Sequence, residues 1–164
     1  MKRENNKSQS LNYFLGIDPG KSGAWAVIDK DNYVVFAELW NESCLAAIAN
    51  DHRNNTFFIT SAVLELVHSM PKQGVKSMFT FGTNFGMWQG MLLSNQIPFD
   101  LIIPTRWMKM VLDSGNRTPE HRFQYALRHW PGAPLLGPRG AKRIGIADAL
   151  CMAECARRMH LGKE

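Results

Sequence analysis

Three acidic side chains stand where the local pattern of the chain changes. Asp18 closes the apolar run 13–17, Glu65 closes the apolar run 57–64, and Asp148 lies near the start of the apolar stretch 144–159. A lone carboxylate at the mouth of a sheet is costly to bury unless it is paired, hydrogen-bonded or bound to a metal. Carboxylates gathered from such distant points repel one another unless cations neutralise them, and hard oxygen ligands select Mg²⁺ or Mn²⁺. Asp18 also has a plainer reading, because the Asp of an Asp-Pro-Gly turn caps that turn with its own side chain. The recurrence of a strand-ending acid therefore carries more than either residue alone.

Two other chemistries are weighed against residues 16–23. A nucleotide P-loop needs four residues between its first Gly and Gly-Lys-Ser, whereas only Ile17, Asp18 and Pro19 separate Gly16 from Gly20. The run after Ser22 also reads as a strand, where a P-loop opens a helix. The phosphate hairpin of actin-like ATPases and sugar kinases is similar locally, but those folds need two such domains and 164 residues are too few for both. No nucleotide cofactor is expected.

The chain as a whole has the size of one domain with a real core. Its 45% hydrophobic content is that of a folded globular protein, and 19 Lys+Arg against 14 Asp+Glu give a net charge of +5. That excess is compatible with a polyanionic partner without requiring one. Cys44, Cys151 and Cys155 are too few for a disulfide framework, and no second Cys/His pair completes a metal site around the last two. No apolar run is long enough to span a membrane and the first residues carry no apolar signal core, so a cytoplasmic location is expected. Residues 1–10, polar and basic, read as a frayed arm, and 11–164 as a single domain.

The elements that must position the acids can be read along the chain. Residues 11–39 read as three strands in a meander, turning at 29–32, with Asn41 or Ser43 capping a short helix over 44–49. A polar loop at 50–55 leads to the strand 57–65, and a basic loop at 66–79 leads to a helix over 80–95. In that helix Gly82, Gly86 and Gly90 recur every fourth residue, which suits close backbone approach or a helix-to-helix dimer contact. A fifth strand at 99–103 stops at Pro104, and Thr105 can cap the helix containing Trp107, Met108 and Val111. Thr118-Pro119-Glu120 opens the next helix, and the last spans 144–159. Three hairpin-connected strands, then helix crossovers to parallel strands, describe an α/β protein with a ribonuclease H-like mixed five-stranded sheet flanked by helices. Two hard ions about 4 Å apart in such a site activate water and stabilise the leaving oxygen of a phosphodiester.

Taken together these segments resemble the RuvC-type Holliday-junction resolvases, most of all their phage and prophage branch. Gly16-Ile17-Asp18-Pro19-Gly20 with Ser22-Gly23-Ala24 is similar to the family's first acidic motif, and Leu64-Glu65 with residues 67–74 to its second. Phe79-Thr80-Phe81-Gly82 with Gly86, Trp88 and Gly90 is similar to its next helix. Pro104 with Trp107 and Lys109 resembles a further segment, and Ala147-Asp148-Ala149-Leu150 the start of its last helix. The resemblance covers roughly residues 13–160. It implies a homodimeric, structure-selective DNA endonuclease that makes paired nicks in four-way or branched junctions, with Asp18, Glu65 and Asp148 as catalytic carboxylates and ligands of Mg²⁺, for which Mn²⁺ can substitute.

One departure stands out. The family places a fourth acid or a histidine three or four residues before the last Asp, where this chain has Gly145 and Ile144. Either another group replaces it, with Asp113 and Glu120 as candidates, or the second metal site is weak, or the protein binds junctions without cutting them well. For DNA contact, Lys72 and Lys76 come after Glu65 in the basic loop, and His68 stands three beyond it, where the family often carries an aromatic wedge. Arg106, Lys109, Arg139, Lys142 and Arg143 are the further phosphate contacts expected, each with the alternative of a solvated surface charge. Contacts of this kind position DNA and do not read its sequence.

Overall fold

The computed structural model describes residues 12–20, 22–66, 74–112 and 115–162. Its centre is β1 (Tyr13–Asp18), which pairs antiparallel with β2 (Ala24–Asp29) and parallel with β4 (Ile59–Glu65). β3 (Val34–Leu39) extends the sheet antiparallel beyond β2, and β5 (Phe99–Ile102) extends it parallel beyond β4. The order β3-β2-β1-β4-β5 is the mixed five-stranded sheet that the sequence predicts.

Helices cover both faces, which is why β1 reads as an unbroken apolar run instead of an alternating one. Tyr13, Leu15 and Ile17 point to one layer with α1 (Ser43–Arg53) and α2 (Val75–Ser94). Phe14 points to the other, with α3 (Pro104–Val111), α4 (Pro119–His129) and α5 (Ile144–His160). The two-residue strand period then sets Gly16 and Asp18 on the α5 face. A Cβ on Gly16 would stand 2.0 Å from the Ala149 carbonyl oxygen and 2.3 Å from the Ala153 nitrogen. Glycine on the strand and alanines on the helix thus let α5 lie directly on β1. No helix among the described residues is long and apolar enough to cross a membrane.

Several boundaries differ from those the sequence predicts. α1 runs on to Arg53, through part of the expected 50–55 loop. Asn41 does cap it, its Oδ1 accepting from the Cys44 N–H at 3.1 Å. α2 begins at Val75, inside the expected 66–79 loop. Pro104 opens α3 directly, with no side-chain cap from Thr105. Thr118 caps α4, its hydroxyl accepting from the His121 N–H at 3.3 Å. The Gly82, Gly86 and Gly90 stripe meets nothing: a Cβ at any of the three has open space around it. Close backbone approach is therefore not what this stripe does among the described residues.

Candidate active site

Asp18 ends β1, Glu65 ends the neighbouring parallel strand β4, and Asp148 stands on the fifth residue of α5. Glu65 shares the α5 face with Asp18, because Val63 two residues earlier packs in that same layer. The structure thus brings together the three acids singled out in the sequence. The charge of Asp148 acts on both Asp18 and Glu65, and that of Asp18 on Glu65.

Each carboxylate has a distinct set of partners. Asp18 Oδ1 accepts from the Gly20 N–H at 3.2 Å, so Asp18 caps its turn while lying in the acidic group. Glu65 Oε1 accepts from the Trp107 indole N–H at 2.8 Å, across from α3. Asp148 is held by a residue that the sequence motifs do not mark. Arg122 of α4 donates from Nε to Oδ1 at 2.6 Å and from Nη2 to Oδ2 at 3.0 Å. Its Nη1 donates to the Arg117 carbonyl at 2.7 Å.

Electrostatics derive from burial and proximity. Burial pushes Asp18 up to about 6, against the Gly20 hydrogen bond, with Asp148 adding to the rise and Arg122 opposing it. Burial pushes Glu65 up to about 7, against the Trp107 hydrogen bond, with the charges of Asp18 and Asp148 adding to it. Burial also raises Asp148, against the pull of Arg122. Burial of the guanidinium works against its own charge, yet the hydrogen bonds and charge of Asp148 outweigh it and Arg122 is raised. Burial and mutual repulsion thus hold Asp18 and Glu65 above the ordinary carboxylate range.

A divalent ion needs hard donors that are not already engaged. Among the described residues, Oδ2 of Asp18 and Oε2 of Glu65 accept no hydrogen bond, and both are donors of the kind Mg²⁺ takes. Both Asp148 oxygens are engaged by Arg122. Among the described residues no group of three or more His, Cys, Asp or Glu side chains could hold an ion as it stands. Among the described residues, Asp18 and Glu65 are thus the two acids of this group that keep an oxygen without a hydrogen bond.

At position 145 the departure has a steric cause. A Cβ on Gly145 would stand 2.7 Å from the Ser22 carbonyl oxygen and 3.4 Å from Asp18 Oδ2. The first turn of α5 is packed onto the β1–β2 turn, leaving no room for a carboxylate there. Ile144 packs on the apolar layer instead. Glu120 is no replacement, since its carboxylate faces solvent on α4 and accepts from Gln124 and Lys142. Asp113 lies outside the described residues.

The expected DNA contacts divide. His68 and Lys72 lie outside the described residues. Lys76 is exposed on the first turn of α2, Arg106 and Lys109 are exposed on α3, and Arg139 is exposed in a short 3-10 turn (Pro138–Gly140). Lys142 is committed to Glu120 and lies 5.3 Å from the Phe123 ring centroid. Arg143 is half-buried and donates to the Pro134 carbonyl at 3.2 Å, anchoring the loop before α5. Arg122 and Trp107 complete the site. The signal for Arg122 is its place on α4: it shares a stripe with Tyr125 and Ala126, both buried, and a charge in an apolar stripe must be paired.

Strand order and the helices on both faces give the ribonuclease H-like fold seen in RuvC structures. Two Thermus thermophilus RuvC structures share it. One, in complex with a Holliday junction substrate, is 13% identical, with a TM-score of 0.63 over 92% of this chain and 97% of that one. The other is 16% identical, with a TM-score of 0.61 and the same coverage. A Fowlpox virus resolvase in complex with Holliday junction DNA is 13% identical, with a TM-score of 0.50 over 92% of this chain and 99% of that one. No protein-family model matches the chain, and a search of curated proteins finds no match.

Proposed function

We propose that this chain is a divalent-metal-dependent, structure-selective endonuclease that cuts four-way or branched DNA junctions. The observation that carries the reading is the meeting of Asp18, Glu65 and Asp148, from two strand ends and one helix, within electrostatic reach of one another. The same fold carries Holliday junction DNA in two of the similar structures.

In this reading Asp18 and Glu65 hold Mg²⁺, or Mn²⁺ in its place, through the oxygens that accept no hydrogen bond from the described residues. The ion, when bound, supplies Lewis-acid stabilisation of the developing phosphate charge and lowers the pKa of water. Gly20 and Trp107 fix the orientation of the two carboxylates, each by one N–H. Lys76, Arg106, Lys109 and Arg139 are the exposed cations that hold phosphates, and their contribution weakens steeply as salt rises. Paired nicks need two copies of the site. The apolar, exposed start of α2, with Val75 85% and Phe79 76% accessible beside the open glycine stripe, is the surface on which a second copy packs.

The test is cleavage of a synthetic four-way junction and of a linear duplex of matching sequence, in EDTA, Mg²⁺ or Mn²⁺. Paired symmetric nicks only in the junction and only with metal support the reading. Asp18→Asn then abolishes cutting and leaves junction binding intact, and a variant that cuts normally sinks the proposal. A second reading, a junction-binding protein that does not cut, is favoured by Gly145, Ile144 and the engagement of Asp148 by Arg122. It predicts tight binding at low salt and no nick with either metal.

A further inference from the structure

We propose that Arg122 is the second cation of this centre, so that the chain takes up a single divalent ion, on Asp18 and Glu65, and not a pair. The inference rests on the metal-dependent reading above and says how many ions that site accepts.

Four observations carry it. The first is the fork. Both oxygens of Asp148 receive an N–H of the same guanidinium, at 2.6 and 3.0 Å. That bidentate geometry is the strongest pairing a carboxylate makes with a side chain, and arginine cannot release it by losing its proton. The second is the anchor. Nη1 of Arg122 donates to the Arg117 carbonyl at 2.7 Å, just ahead of α4, so the group is tied on two sides. The two side chains are only 15% and 14% accessible. Breaking a pair of this kind by withdrawing one partner leaves an uncompensated, partly buried charge.

The third is the absence of another donor among the described residues. Gly145 has no room for a side chain against Ser22, Ile144 packs on the apolar layer, and Glu120 is tied to Lys142 and Gln124. The fourth is reach. The charge of Arg122 acts on Asp18 and on Glu65 as well as on Asp148. One guanidinium thus acts on all three carboxylates while bridging both oxygens of Asp148. Arg122 acts here as a positioning residue: it fixes Asp148 and engages both of its oxygens.

The test is a Mn²⁺ titration of the full-length, EDTA-stripped protein, read by electron paramagnetic resonance as free Mn²⁺ and as the spectrum of the bound ion. The wild type takes one equivalent with the six-line spectrum of an isolated ion. Arg122→Gln frees Asp148 and takes a second equivalent, with the broadening of a spin-coupled pair. Two coupled ions in the wild type overturn the inference and leave the metal-dependent reading standing. A single ion in a folded Arg122→Gln also overturns it. No bound Mn²⁺ in the wild type overturns both. The wild-type count stands even if a variant fails to fold.

Discussion

The indole N–H of Trp107 donates to Oε1 of Glu65 at 2.8 Å, joining α3 to the end of β4. Trp107 is 1% accessible, so its ring is also core, and the two roles can be separated by substitution. Trp107→Phe retains a large ring and removes the donor. The hydrogen bond favours the charged form of Glu65, so its loss moves the Glu65 pKa above its value of about 7. The expected outcome is an acid limb of the cleavage profile displaced to higher pH and a loss of about 1–2 kcal/mol of stability. A pH profile that does not move would mean that the bond does not reach the working carboxylate.

Asp18 and Glu65 are acids whose folded pKa values, about 6 and about 7, lie above their ordinary values of 3.8 and 4.5. As pH rises the unfolded chain ionises these groups first and the folded state resists. Their contribution to stability is therefore lost between about pH 4 and about pH 7 and stays level above that. Glu65→Gln removes one of the two penalties. In EDTA the variant should equal the wild type near pH 4 and exceed it by about 1–3 kcal/mol at pH 8. Urea unfolding at the two pH values reads the difference, and a variant less stable than the wild type at pH 8 refutes the account.

The same chemistry explains which features are legible in the sequence. Strand-ending acids are legible because the residue type breaks the apolar run at the point where a strand meets solvent, as at Asp18 and Glu65. The meander and the crossovers come from turn residues and apolar runs. Arg122 is not legible in that way, because its partner Asp148 is 26 positions away and only tertiary packing joins them. The stripe of Gly82, Gly86 and Gly90 misleads for the converse reason. Spacing says that three residues share a helix face, and says nothing about whether that face is covered. Thr105 is a sound cap by type, but Pro104 already sits at the first helical position.

Glycines of this chain fall into two kinds, and alanine tells them apart. Gly16 lies against the backbone of Ala149 and Ala153, and Gly145 against the carbonyl of Ser22. Helical glycine is ordinarily improved by alanine by about 0.5–1 kcal/mol. At Gly145 that gain is reversed by overpacking of about 1–3 kcal/mol, and Gly16→Ala, with contacts at 2.0 and 2.3 Å to backbone that cannot yield, is worse still. Gly86→Ala, in open space on α2, should raise stability by the ordinary helical increment. Thermal unfolding of the three variants gives the order, and a stabilised Gly145→Ala would remove the steric explanation for the missing acid.

Glu154 is the most deeply buried charge among the described residues, 2% accessible on α5, and it holds two arginines of its own helix. Arg157 donates to it from Nε at 2.6 Å and Nη2 at 3.0 Å, and Arg158 from Nε at 2.7 Å. Each arginine then reaches another element: Arg157 Nη1 donates to the Lys30 carbonyl at the β2–β3 turn, and Arg158 Nη1 to the Met110 carbonyl in α3. The carboxylate thus orients two cations that fasten α5 to the β2–β3 turn and to α3. Glu154→Ala leaves two partly buried guanidinium groups without their shared partner and should cost about 3–5 kcal/mol. The hydrogen bonds of this network run to Lys30, Met110 and the Tyr125 hydroxyl and not to Asp18, Glu65 or Asp148, so cleavage per folded molecule should be unchanged at temperatures well below the lowered midpoint. Denaturant unfolding beside a cleavage assay corrected for folded fraction separates the two, and a loss of cutting in the folded variant would place Glu154 in the working site.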